Sequence, residues 1–256
     1  MARQFFPLRN PDMYPVFEGV VADMPSTCEP YLYGGAVRSA VYEAFHGEPM
    51  SYRDYDQILI QGSAEYVEFL KSRDFKNGRI PSRPEEHVIL RRPLVPNTDP
   101  EDFDDSAVFD IHKADGNSAI DYMTHNVGIA VGGIALPLRK LFDADWLDSL
   151  TALPSALDDI RNKQISINPH GYLSQPANLF ACLRLMSKGF APPPESELKQ
   201  IVDQLADLTP RQITRNIRKL SNSPEGDANI RAIASSVGIK GDILSIEEVT
   251  SGLVRL

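Results

Sequence analysis

An apolar triplet, a glycine pair and an amphipathic stretch follow one another without a break near the amino terminus: Tyr31-Leu32-Tyr33, Gly34-Gly35, then Ala36 to Phe45. The triplet reads as a strand. In the stretch behind the glycines, Val37, Ala40, Val41, Ala44 and Phe45 make one apolar stripe at helical spacing. A glycine pair at that junction constrains the fold more than any other feature, because it lets the chain turn sharply and lets a ligand approach the backbone closely. The start of the helix presents amides that have no partner within the helix, and such amides attract an anion of the triphosphate kind. Arg38, in the first turn, adds a charged fork to the same place.

The sequel is Arg53-Asp54-Tyr55-Asp56-Gln57-Ile58-Leu59-Ile60, which runs from a polar loop into a β-rich stretch. Residues i and i+2 of a strand project from one face, roughly 7 Å apart at the backbone, so Asp54 and Asp56 are expected side by side. Two carboxylates at that spacing repel unless a cation lies between them. Hard oxygen ligands suit Mg2+ or Mn2+, ions that bridge nucleotide phosphates and activate a hydroxyl. Alone, the Asp-x-Asp pair is equally a solvent-facing strand end; behind the glycine turn it points to an ion site. Ala107-Val108-Phe109-Asp110-Ile111 places a lone acid in an apolar strand, and Asp110 is either a third carboxylate of that site or a strand-end residue facing water.

The chain's organisation supports a mixed α/β domain followed by a helical one. Short apolar runs at Tyr31 to Tyr33, Gln57 to Ile60, His87 to Leu90 and Ala107 to Ile111 alternate with helical patterns. Past the triproline Pro192-Pro193-Pro194, a linker candidate at 191–194, the pattern is helical throughout. Leu198, Ile201, Val202 and Leu205 mark one helix. Thr209-Pro210 caps a second, with Ile213, Ile217 and Leu220 inward, and Ile230, Ile233, Ala234 and Val237 mark a third. The expected domains are residues 1–150 and 151–256.

Arg211, Arg215 and Arg218 share one face of the second helix and either grip a phosphate backbone or form a solvated cationic surface. Arg91-Arg92 carries the same two readings. With 26 Lys and Arg against 35 Asp and Glu, a net charge of −9, any nucleic-acid contact must be local. The acidic run Asp99 to Asp105 reads as solvated loop.

Cys28 and Cys182 are isolated thiols, which fits a reducing compartment, and they read as buried small hydrophobes. Charges break the apolar residues of Met1 to Arg9, and no later segment reaches the length of a membrane span, so a soluble cytoplasmic protein without a membrane partner is expected. The five histidines, His46, His87, His112, His125 and His170, lack zinc spacing and read as structural or surface residues. His112 alone shares a strand face with Asp110 and can reach a substrate or a metal-bound water. Serine-hydrolase, Rossmann and P-loop motifs do not occur.

Gly34-Gly35-Ala36-Val37-Arg38, a helix, then Asp54-Tyr55-Asp56 resembles the head domain of the class II CCA-adding enzymes and bacterial poly(A) polymerases, members of the DNA polymerase β-like nucleotidyltransferase superfamily. Thr124-His125-Asn126-Val127 resembles the family's Thr-Ile-Asn-Ala element, and Phe142-Asp143 its Ile-Asp-Pro. Leu157-Asp158-Asp159-Ile160-Arg161-Asn162-Lys163 is similar to its Leu-Glu-Asp-Leu-Lys-Asn-Lys segment, and Pro176 through Arg184 keeps the spacing of the helix that begins Asp-Pro-Leu-Arg and is closed by Phe190.

The resemblance implies an α+β head with a mixed sheet, followed by a small helical neck. It implies a Mg2+- or Mn2+-dependent transfer of NMP from an NTP to an acceptor hydroxyl, an RNA or tRNA 3′ end. In its terms Asp54, Asp56 and Asp110 are catalytic, with the metal on Asp54 and Asp56, and Gly34, Gly35, Arg38, Asn126 and Arg184 hold the nucleotide. Arg211, Arg215 and Arg218 are candidates for RNA contact.

The chain departs from the pattern at several positions. Ser39 stands for an acid, Ile120 and Asp121 for paired arginines, and Asn178 and Ala181 for two further arginines; the Glu-Asp-x-x-Arg element that selects the base is not recognisable after Phe190. The family's long helical body and tail, which hold tRNA, have no counterpart in these 256 residues. Two alternatives therefore stay open: a non-catalytic nucleotide- or RNA-binding descendant of the fold, and nucleotidylation of a protein or small molecule.

Overall fold

The computed structural model describes residues 6–8, 10–50, 52, 54–78, 85–94, 106–171, 177–203, 205, 208–221 and 226–256; Arg53, the acidic run 99–105 and Pro176 fall outside them. It forms two compact units, residues 1–123 with 132–160, and residues 124–131 with 161–256.

In the first unit, α1 (Met13–Asp23) precedes β1 (Pro30–Tyr33), α2 (Gly35–His46), β2 (Tyr55–Leu59), α3 (Ser63–Lys71), β3 (Lys76–Asn77), β4 (His87–Pro93) and β5 (Ser106–Lys113). Then come α4 (Ala119–Asn126), β6 (Ile134–Pro137), β7 (Thr151–Ala152) and α5 (Ala156–Asn162), the last residues of α4 and of α5 belonging to the second unit. The strands form one seven-stranded sheet in the order β3-β4-β5-β2-β1-β6-β7. Within this sheet, among the described residues, β2 and β5 run parallel and the other strand pairs are antiparallel. A parallel neighbour demands a long crossover, and the chain between β2 and β5 supplies it through α3, β3 and β4.

The interior strands are apolar because both of their faces are covered. Leu32, Ile58, Leu59, Phe109 and Ile111 are fully buried. Phe109 stacks between Phe17 at 5.2 Å and Phe75 at 4.8 Å, and Phe17 meets the edge of Tyr55 at 5.1 Å. Within α2, Ala36, Val37, Ala40 and Val41 are buried as the helical stripe requires, but at its carboxyl end Phe45 is half-buried and Ala44 is exposed. The helix stops at Gly47, which takes a left-handed φ of 77° and donates its amide to Glu43 O. Gln57 is a polar side chain inside this core, and its Oε1 accepts the Tyr66 hydroxyl at 2.9 Å.

The second unit contains α6 (Ala177–Met186), α7 (Glu195–Asp203), α8 (Pro210–Ser221), α9 (Gly226–Ser236) and α10 (Ile246–Thr250). Residues 191–194 lie inside this unit. The Ala191 amide bonds to Lys163 O at 2.7 Å, and Pro194 O accepts the amides of Glu197 and Leu198 as α7 begins. Thr209 and Gln212 form a reciprocal cap at the start of α8: Gln212 Oε1 accepts Thr209 N at 3.0 Å, and Thr209 Oγ1 accepts Gln212 N at 3.4 Å. Ile213, Ile217 and Leu220 are buried, while Arg211, Arg215 and Arg218 are exposed on the same helix.

Both cysteines are buried and unbridged. Among the described residues, no helix is long and apolar enough to cross a membrane.

Candidate active site

Strand β1 ends at Tyr33, and Gly34 then takes φ 69° and ψ −128°, a conformation open to glycine and costly for other residues. Its amide is used within the sheet, donating to Ile134 O at 3.2 Å. The contribution of Gly34 is therefore space: a Cβ there would stand 3.2 Å from Asp56 Oδ2, so the missing side chain lets the carboxylate lie against the turn. Arg38 N closes the first helical turn on Gly34 O at 2.9 Å, which leaves the amides before it pointing out of the start of α2.

Asp56 is the second residue of β2, opposite Tyr33 on one side and Asp110 on the other. In register on adjacent strands, Asp56 and Asp110 project from the same face of the sheet. Asp54 stands in the bend immediately before β2, outside the strand that holds Asp56. The spacing sets both acids on one strand at i and i+2; the strand begins at Tyr55, so this holds for Asp56, which pairs within the sheet, and not for Asp54.

On the other side of Asp110 lies β4. Here the register pairs His87 with His112 and Ile89 with Asp110. The two imidazoles stack with centroids 4.4 Å apart and planes 7° from parallel. Both approach the same oxygen of Asp110: His87 Nε2 is hydrogen-bonded to Oδ1, and His112 Nε2 is 3.5 Å from it. Burial pushes the His112 imidazole down to about 4, outweighing the opposing pull of the Asp110 charge, so at neutral pH the ring is neutral.

Tyr33 and Tyr122 close over these groups. Each ring centroid lies 5.8 Å from that of His112, and the two tyrosines share a hydrogen bond. Burial, reinforced by the Asp56 and Asp110 charges, raises the Tyr33 hydroxyl well above its ordinary range and the Tyr122 hydroxyl to about 12. Both remain protonated and able to donate.

The first unit holds Gly34, Gly35, Arg38, Asp54, Asp56 and Asp110 of the sequence-predicted set; Gly34, Asp56 and Asp110 stand together, and His87, His112, Tyr33 and Tyr122 join them. His87 reads from sequence as a structural residue. Only the pairing of β4 with β5, set across more than twenty residues, puts it beside His112, and no local motif announces that. Asn126 and Arg184 belong to the second unit, Asn126 exposed at the end of α4 and Arg184 exposed on α6. Arg91 does not meet solvent as a strand-end basic residue would: both Arg91 and Arg92 lie within β4, and Arg91 is buried.

The departures from the resembled pattern have local work. Ser39 is buried, donating from Oγ to Met50 O at 2.6 Å and accepting the Met50 amide at 3.1 Å, which ties α2 to the chain ahead of β2. Asp121 caps α4, accepting the Ser118 hydroxyl at 2.6 Å while its own amide bonds to Ser118 Oγ at 3.1 Å. In the second unit Asn178 packs so tightly on Gly128 that a Cβ at 128 would come within 2.2 Å of it. In the same unit Asn168 Nδ2 donates to Thr124 O and Val127 O, both at 2.8 Å, holding the Thr124 to Val127 element by its carbonyls.

No family model matches the sequence, and no curated protein matches it. Solved structures do match its fold. The Thermotoga maritima CCA-adding enzyme complexed with tRNA is 17% identical with a TM-score of 0.63, over 88% of this chain and 51% of that one. A tRNA-processing enzyme in an apo form gives 14% and 0.65, over 93% and 62%. The Bacillus stearothermophilus CCA-adding enzyme in complex with CTP gives 16% and 0.59, over 95% and 57%. The chain spans about half to three fifths of the length of these proteins. At such identity the likeness is one of architecture, and the chain has the nucleotidyltransferase fold of the CCA-adding enzymes, a mixed sheet with helices.

Proposed function

We propose that this protein is a metal-dependent nucleotidyltransferase that moves a nucleoside monophosphate from an NTP to an acceptor hydroxyl at an RNA 3′ end. The observation that carries the reading is the placement of Asp56: against the side-chain-free Gly34 at the start of α2, and in register with Asp110 on the neighbouring strand. Like charges directly opposite on one sheet face destabilise each other. An all-oxygen set of Asp54, Asp56 and Asp110 fits Mg2+ or Mn2+, which offsets that repulsion and, when bound, supplies charge neutralisation for the phosphates.

The protein's own residues do the rest. The first-turn amides of α2 and Arg38 face the place where a triphosphate would lie. Tyr33 and Tyr122 hold protonated hydroxyls near the Asp56 and Asp110 carboxylates. Solved relatives in fold are described with tRNA and with CTP, which supports an NTP and an RNA as the two substrates. The exposed Arg211, Arg215 and Arg218 offer a cationic strip to a phosphate backbone on an otherwise acidic protein.

The test is pyrophosphate release and lengthening of a short labelled RNA with each NTP in the presence of Mg2+. Wild type is expected to extend the RNA, and Asp56→Asn and Asp54→Asn are expected to lose on the order of a hundredfold or more, beyond what loss of a residue behind a metal ligand costs. Equal behaviour of wild type and Asp56→Asn with every NTP rejects catalysis and leaves a binding descendant of the fold. Pyrophosphate release without RNA extension moves the acceptor to a protein or small molecule.

A further inference from the structure

The stacked pair His87 and His112 with Asp110 presents a donor set unlike that of the oxygen ligands beside it. Among the described residues, these three offer ligand atoms that all lie within 4.8 Å of one another. Two donors sharing one tetrahedral ion, each about 2.0–2.1 Å from it, stand roughly 3.4 Å apart. His112 Nε2 and Asp110 Oδ1 are 3.5 Å apart, while His87 Nε2 is hydrogen-bonded to the same oxygen and has to draw back from it for the two to share an ion. The cluster sits on two strands in fixed register rather than on a loop, so its members need only rotamer adjustments to converge. It is partly open, with side chains of 20%, 19% and 27% exposure for His87, Asp110 and His112, which leaves a route for an ion and room for a water or substrate oxygen.

We propose that His87, Asp110 and His112 form a binding site for a divalent transition-metal ion of the zinc class, distinct in ligand chemistry from the magnesium-type site at Asp54 and Asp56. Two imidazoles and one carboxylate are the ligand types that zinc takes in three-ligand sites with an open position, whereas Mg2+ prefers oxygen ligands and keeps its waters. A purely hydrogen-bonded arrangement needs only one imidazole on the carboxylate. Two rings converging on the same oxygen in parallel planes give an ion a three-sided seat. The site holds whether or not the protein transfers nucleotides, because nothing in its geometry involves a nucleotide.

The experiment uses the full chain, stripped with a chelator and titrated with Co2+ in the absence of NTP and RNA. The visible absorption of the cobalt reports ligand number and geometry, and Zn2+ and Mg2+ serve as competitors. Wild type is expected to take up one Co2+ with the intense bands of a low-coordinate ion, displaced by Zn2+ and retained in a large excess of Mg2+. His87→Ala and His112→Ala are expected to weaken uptake on the order of a hundredfold.

Should a variant fail to fold by circular dichroism, wild type alone decides. In side-chain NMR, Zn2+ shifts the ring nitrogens of two of the five histidines, and these are His87 and His112. Pale six-coordinate cobalt bands, displacement by Mg2+, unchanged binding in folded His87→Ala, or ring shifts confined to His46, His125 or His170 overturn the proposal. Cobalt binding without nucleotidyl transfer leaves it standing while rejecting the catalytic reading, and the reverse result separates the two in the other direction.

Discussion

Asp110 has a different chemical neighbour on each side. Across the parallel pairing with β2 it faces Asp56, while two imidazoles approach its carboxylate, His87 from β4 and His112 from two residues along its own strand. The first arrangement is all oxygen and negative, so it is stable only with a hard cation or donors such as the Tyr33 and Tyr122 hydroxyls close by. The second is internally satisfied, because an imidazole already lies on the carboxylate, and it favours a softer ion. One residue thus serves two environments, and strand register alone decides which ligands it shares.

The sharpest way to break this comparison is Asp110→Ala. If Asp110 belongs to both sides, the substitution reduces RNA extension on the order of a hundredfold and weakens Co2+ uptake by a similar factor; loss of one property alone assigns the residue to one side.

A smaller effect is expected from Gly34→Ala. It introduces strain of about 1–3 kcal/mol at φ 69° and drives a methyl to 3.2 Å from Asp56 Oδ2. Thermal unfolding is expected several degrees lower. Extension should fall roughly tenfold, the equivalent of about 1.4 kcal/mol in the transition state, with Co2+ uptake untouched. Equal losses on both sides would erase the distinction between them.

The smallest effect belongs to Ser39→Ala, which removes the two hydrogen bonds to Met50 and costs about 1–2 kcal/mol in urea unfolding. A drop in extension larger than the loss of stability explains would show that residue 39 keeps the role of the acid it replaces.

How much of this was legible in the sequence follows from how local each feature is. The Gly34 turn, the amino-terminal part of the α2 stripe and the cap at Thr209 are written in neighbouring residues and are found where the pattern puts them, whereas Ala44 of that stripe is exposed. β6 and β7 carry no such mark: Ile134 to Pro137 is a strand because β1 needs a partner on its other edge. For the same reason Asp54 and Asp56 can be read as a pair from their spacing, while His87 becomes part of the site only through the sheet. Ser39, Asp121 and Asn178 look like losses when set against a family pattern, yet each makes a specific structural contact. Sequence comparison alone cannot distinguish a vacated role from a substituted one.

The mixed direction of the sheet also sets the order in which the two halves of the site can come into being. Asp56 and Asp110 are joined by roughly fifty residues of intervening chain and His87 and His112 by about half that, a difference worth about 0.6 kcal/mol of closure entropy in favour of the shorter loop. Parallel pairing is in addition the slower kind to nucleate. On a chain folding for the first time, the pairing that joins His87 to His112 is therefore expected ahead of the one that joins Asp56 to Asp110.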